Sequence, residues 1–159
     1  MWYKLKKILL ILIPVIFLIG LSYKLNNEVF NPKKPNNFYY TNLLAKNLTL
    51  SYPSKCTMEE NNFHDEINLD KDNITDIKNM LSYLKKKNFI TKPQNLPEKS
   101  AYRITFTFNE EKLLIDIYNE KYACIYPWDG KYPMDYIDIS NIPASLNLYY
   151  LGKYLFKQY

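Results

Sequence analysis

Cys56, Cys124 and His64 offer the most chemistry in this chain, because they are its only cysteines and its only histidine. A thiol activated by an imidazole base is a nucleophile, so Cys56 with His64 defines one reading, a small envelope hydrolase. The competing reading is a solvated loop histidine, since His64 stands beside Asp65 and Glu66 in a polar run. In an oxidising compartment the thiols are instead a candidate disulfide, Cys56 with Cys124. From 56 to 124 that closes a loop of 68 residues, worth roughly 4 kcal/mol on the chain-entropy account. Two buried free thiols are the alternative. One histidine and two distant cysteines lack the ligand spacing of a metal centre, and there is no phosphate-binding glycine loop. Neither metal nor cofactor is expected.

The carboxylates Asp116, Asp129, Asp135 and Asp138 invite an acid–base reading. Asp116, however, falls opposite the apolar positions of its segment, and Asp129 is a turn residue in Pro127-Trp128-Asp129-Gly130. Neither looks poised for proton transfer. Around that turn Tyr122, Tyr126, Trp128, Tyr132 and Tyr136 cluster. Aromatic residues are enriched at recognition surfaces, which makes Tyr126, Trp128, Asp129 and Tyr132 a candidate surface for a glycan, peptide or partner protein. A tyrosine-rich core is the alternative, because 16 tyrosines against 3 glycines and the single arginine Arg103 indicate a compositional bias.

The elements that must position these residues follow from periodicity. Phe38, Leu43, Leu44 and Leu48 suit a short helix, and 52–58 an early strand after Pro53. Residues 61–68 are polar and read as a loop. Asp70 or Asp72 caps a helix whose stripe is Ile74, Ile77, Met80 or Leu81, and Leu84, with Lys85, Lys86 and Lys87 in its last turn, where the helix dipole favours cations. After the break at Pro93 and Pro97, strict alternation through Tyr102, Ile104, Phe106 and Phe108 begins a meander. It continues through Leu113, Ile115 and Ile117, then 122–126, the Asp-Gly turn, and 134–139. Ser140 caps a closing helix that runs to about Phe156, with Pro143 near its first turn. The fold class is α+β: an antiparallel four- to five-stranded sheet packed by two or three helices.

The N-terminus differs in kind. Residues 8–23 carry no charge and follow Lys4, Lys6 and Lys7. As a helix they span about 24 Å at ~1.5 Å per residue, slightly under the ~30 Å hydrocarbon layer. Residues 1–25 therefore read as a membrane anchor or uncleaved signal, and 26–37, with Asn31-Pro32 and Lys34-Pro35, as a linker. Residues 38–159 form the extracytoplasmic domain. The tight lysine cluster ahead of the span orients the chain as single-pass with the C-terminal domain outside. Gly20 and Ser22 form a weak cleavage pattern, so a secreted protein released near Ser22, of structural or immunity type, stays open as an alternative.

The formal charge of +5 resides in this segment. Residues 1–36 hold six lysines and Glu28, whereas residues 37–159 hold fifteen bases and fifteen acids. A neutral domain lacks the electrostatic footprint of nucleic-acid binding, so no nucleic-acid partner is expected.

The run Tyr-Asn-Glu-Lys-Tyr-Ala-Cys-Ile-Tyr-Pro-Trp-Asp-Gly from Tyr118, then Met-Asp-Tyr-Ile-Asp-Ile from Met134, resembles a family of uncharacterised clostridial exported, lipoprotein-like proteins. The segment Leu148 to Leu155 is similar too, so the resemblance covers roughly the last forty residues. It implies export but no activity or site residues. No cysteine directly follows the apolar run, so lipidation there is not expected. The leading functional expectation is a membrane-tethered, non-enzymatic binding or accessory module of the bacterial envelope, with an envelope protein or glycan as partner.

Overall fold

The computed structural model describes residues 2–25, 33–109 and 111–157, with backbone alone for residues 3–11, 24 and 25. Most of the expected linker, residues 26–32, lies outside the described residues. The chain divides into two compact units, residues 1–34 and 35–159.

The first unit is helix α1 (Trp2–Leu25). Its described apolar side chains, including Ile13, Ile16, Phe17 and Ile19, are all exposed, so residues 12–23 show no buried stripe. Among the described residues, no helix is long and apolar enough to cross a membrane.

The second unit is a seven-stranded antiparallel sheet with three helices on one face. Its strands are β1 (Lys55–Glu60), β2 (Asp65–Asn68), β3 (Phe89–Ile90), β4 (Tyr102–Thr107), β5 (Lys112–Ile117), β6 (Tyr122–Pro127) and β7 (Asp135–Asp138), in the spatial order β2-β1-β4-β5-β6-β7-β3. The register places Met58, Ile104, Ile115, Ile125 and Asp135 in one row across the sheet. Against this core face pack α2 (Tyr39–Leu50) through Tyr40, Leu44 and Leu48, α3 (Lys71–Tyr83) through Ile74, Ile77 and Met80, and α4 (Leu148–Lys157) through Leu148. The neighbouring row, one residue along each strand, is Glu59, Arg103, Asp116, Cys124 and Tyr136. Period two turns that row to the opposite, open face.

Asp135 is the polar member of the core row, and its reason is structural. Helix α2 has no side-chain cap of its own. Thr41, in its first turn, donates its backbone N–H at 2.7 Å and its hydroxyl at 2.8 Å to the buried Asp135 carboxylate. A carboxylate at a helix N-terminus satisfies orphan donors and the dipole together.

The sheet is larger than the four to five strands expected. Asp65–Asn68, read as loop, is the edge strand β2. It has one half-buried residue, Ile67, among exposed polar ones, so its membership rests on backbone pairing with β1 rather than on periodicity. Phe89–Ile90 adds the other edge by pairing with β7, too short a run to announce itself. Helix α3 begins at the expected cap, Asp70, which accepts from the Asn73 N–H at 2.8 Å. It ends earlier than expected, however. Leu84 is extended and Lys86–Asn88 form a separate 3-10 turn, so the three lysines do not complete its dipole. The closing helix likewise starts at Leu148 rather than after Ser140. Ser140 is held by Asp138 Oδ1, which accepts from its N–H and hydroxyl. The buried Asn147 accepts from the Tyr149 N–H at the true helix start.

Candidate functional site

The candidate disulfide is not made. Cys56 is buried on the core face, Cys124 faces the other side with β4 and β5 between them, and both thiols are free. Bridging needs Cα atoms within about 7 Å and converging Cβ vectors, which opposite faces of a sheet cannot supply. Nor does Cys56 meet His64. The imidazole is exposed at the β1–β2 turn, where His64 has a φ of 60°, and its Nδ1 lies 2.9 Å from Glu59 Oε1 on the open face. The hydrolase reading therefore lacks its nucleophile–base contact.

Burial pushes the Cys56 thiol up to about 12 from its ordinary 9.0. Burial, then the Asp116 charge, does the same for Cys124, also to about 12. Both are inert as nucleophiles in the fold. We expect a disulfide reagent at about pH 8 to titrate neither thiol in the folded protein and both in denaturant; a fast-reacting thiol in the native state would contradict the burial. Because neutral thiols are favoured in the folded state, their stabilising contribution is complete below pH 9.0 and lost as pH rises toward 12.

The aromatic surface expected from the sequence is divided. Tyr132 packs edge-on against Tyr39, ring centroids 5.4 Å apart, and its N–H donates to the Tyr40 hydroxyl at 2.8 Å, so it belongs to the helix layer. Tyr126 lies on the open face and donates to Asp116 Oδ2 at 2.8 Å. Trp128 and Asp129 stay exposed at the turn. Of the remaining acids, Asp138 is taken up by Ser140 and Asp135 by α2.

What the open face does assemble is a network centred on Asp116. Its side chain is 7% exposed and pairs with Arg103 through two bonds, Nε to Oδ1 at 2.6 Å and Nη2 to Oδ2 at 3.0 Å. Donating its hydrogen bonds to Asp116 holds the Arg103 guanidinium well above its already high ordinary range. Burial, then the Asp116 charge, raises the Tyr126 phenol; burial, then Cys124, raises that of Tyr118. Cys124 Sγ lies 3.6 Å from Met134 Sδ and 3.9 Å from the Tyr118 hydroxyl. A recess of about 260 Å³ opens over this network, bordered by Glu59, Asn61, His64, Arg103, Asp116 and Tyr118 among others. Asn61 is fixed there by donating to the Ser100 hydroxyl and carbonyl.

Such an arrangement can orient a polar ligand but holds no free base beside a nucleophile. Among the described residues no group of three potential metal-binding side chains occurs. Sequence reasoning overlooked Arg103. The available signal was that the chain's single arginine and Asp116 both occupy polar positions of successive strands, where cross-strand pairing is expected.

Residues 34–152 match the family described as "Domain of unknown function (DUF4883)". Among solved structures the chain is similar to "Crystal Structure of Putative Lipoprotein from Clostridium perfringens", with 32% sequence identity and a TM-score of 0.69, covering 79% of this chain and 99% of that chain. No curated protein matches it.

Proposed function

The chain belongs to the DUF4883 family of domains of unknown function, and from that premise we propose that it is a non-enzymatic binding or accessory module of the bacterial envelope. Its N-terminal helix would hold it at the outer face of the cytoplasmic membrane. The observation that carries the binding role is the one-sided sheet: all three helices cover the core face, while the open face carries a recess around a pre-oriented Arg103–Asp116 pair. A surface whose polar groups are already fixed loses little entropy on engaging a ligand. The tether is supported by the all-round exposure of apolar side chains on α1, the preceding lysines and the lipoprotein description of the similar structure. Cys56 is the first cysteine and is buried in β1, so the helix, not a lipidated cysteine, is the proposed attachment.

The test is digestion of wall-stripped cells by an external protease, followed by blotting of membrane and medium fractions. We expect membrane-bound protein whose domain is degraded from outside. Domain released to the medium with a new N-terminus near Tyr23 would replace the tether by a cleaved signal. Domain that stays membrane-bound and protected would overturn the orientation and the envelope role.

A further inference from the structure

We infer that the end of the sheet beneath Trp128 is a saccharide-binding trough; this names a ligand class for the module proposed above and rests on that reading for its cellular setting. Two recesses open there, of about 290 and 200 Å³. They share Phe108, Asn109 and Glu111, so they adjoin along one stretch of surface. Trp128 lines only the first and Tyr52 only the second, so an aromatic side chain stands toward either end. Both are solvent-facing, at 72% and 61% exposure.

The backbone is hydrogen-bonded at Trp128 and beside Tyr52. The Trp128 N–H donates to the Lys112 carbonyl at 3.0 Å, extending the β5–β6 ladder one residue past Pro127. Ser51, next to Tyr52, donates its N–H to the Asn47 carbonyl at 2.9 Å at the end of α2. Phe108, stacked on Phe106 with centroids 6.4 Å apart, is the buried residue of the lining. The other lining groups are planar or polar: Asn47, whose amide donates to the Glu111 carboxylate, together with Asn109, Lys112 and Asp129.

A pyranose ring presents weakly polarised C–H faces and a rim of hydroxyls that both donate and accept. Its faces suit exposed aromatic rings, whose π surface is negative. Its rim suits carboxylates as acceptors, ammonium as donor, and amides as both. Charge narrows the choice. Glu111 and Asp129 outnumber Lys112 in the lining, so a phosphate-bearing polymer finds no cationic track. A hydrophobic peptide anchor finds no deep apolar pocket, since Phe108 is already buried by its own domain. The ligand class left is a neutral oligosaccharide.

The chain has two tryptophans, so Trp2→Phe in the full-length, detergent-solubilised protein makes Trp128 the sole indole reporter. Its emission is followed against neutral tetrasaccharides of N-acetylglucosamine, glucose and mannose and against enzymatically solubilised peptidoglycan glycan, with heparin as the anionic control. We expect a saturable blue shift with at least one neutral glycan and none with heparin. Tyr52→Ala, read by fluorescence, and Trp128→Ala, read by calorimetry, should each weaken that binding on the order of tenfold or more. Their thermal unfolding should be unchanged, as both side chains are exposed. No saturable response to any neutral glycan, undiminished binding by both variants, or an equal response to heparin overturns the trough. Because this experiment uses purified protein, its failure is distinct from failure of the protease test, which reads location alone.

Discussion

Replacing Arg103 by alanine should destabilise the domain by about 3 kcal/mol, with a fall in Tm of roughly 10 °C for a domain of this size. The loss comes from the partner left behind. Asp116 is on the open face, yet its side chain is only 7% exposed, because Arg103 and Tyr126 both close over it. Removing one member of a buried pair leaves an uncompensated carboxylate and costs about 3–5 kcal/mol. The lower end applies here because the Arg103 side chain is 34% exposed, so water reaches the pair and weakens it. Arg103→Lys should recover only part of the loss, since an ammonium cannot reproduce the two-bond contact. The combined variant Arg103→Met with Asp116→Leu should regain most of it by removing both charges. Urea unfolding at neutral pH of the wild type, Arg103→Met, Asp116→Leu and the combined variant gives the coupling energy directly. A loss below about 1 kcal/mol for Arg103→Ala would class the contact as an ordinary surface ion pair.

That pair also shows where the sequence could and could not be read. Alternation in 102–108 and 113–117 set the strands and their polar faces correctly, because one face is buried against helices and period two then sorts the residues. Register was less visible. The β4–β5 pairing brings Arg103 opposite Asp116, and the turn between them, whose form decides that pairing, has no diagnostic dipeptide. The central strand β5 misled in another way. Leu113 to Ile117 are all buried, so a face without helices still buries residues such as Leu114 and Asp116 beneath their own neighbours. Asp116 thus read as a residue opposite the apolar face, not poised for proton transfer, and proved to be the hub of the candidate site. The edge strands were illegible for the opposite reason. β2 and β3 bury little, and main-chain hydrogen bonds leave no mark in side-chain pattern. Cys56 and Cys124 were each correctly placed in strands, but whether they could meet depended on strand order and facing, which spacing does not encode.

Helix α4 carries the last of these hidden constraints, and the expected result there is that Gly152 gains no stability from a side chain. A Cβ at that position would lie 2.7 Å from Tyr102 Cδ2 and 2.8 Å from Met58 Cε. The methionine tip can turn away. The tyrosine ring cannot move as freely, because it stacks on Phe156 at 5.7 Å between centroids and meets Tyr149 at 5.8 Å. An exposed helical glycine changed to alanine gains about 1 kcal/mol from helix propensity. Here overpacking of about 1–3 kcal/mol opposes that gain, so Gly152→Ala should be neutral to destabilising. Gly152→Leu should cost about 3 kcal/mol, the upper end of the overpacking range. The strain should lift α4 from β1 and β4 rather than unfold the sheet. Amide exchange should therefore show protection lost across 148–157 before any loss in 102–107. Shortening the opposing ring, as in Tyr102→Leu with Gly152→Ala, should restore protection in α4. A stabilised Gly152→Ala protein would mean that the helix does not approach the sheet this closely. A glycine inside a helical pattern is the sequence trace of such an approach, but the ring that demands it comes from a strand fifty residues earlier in the chain.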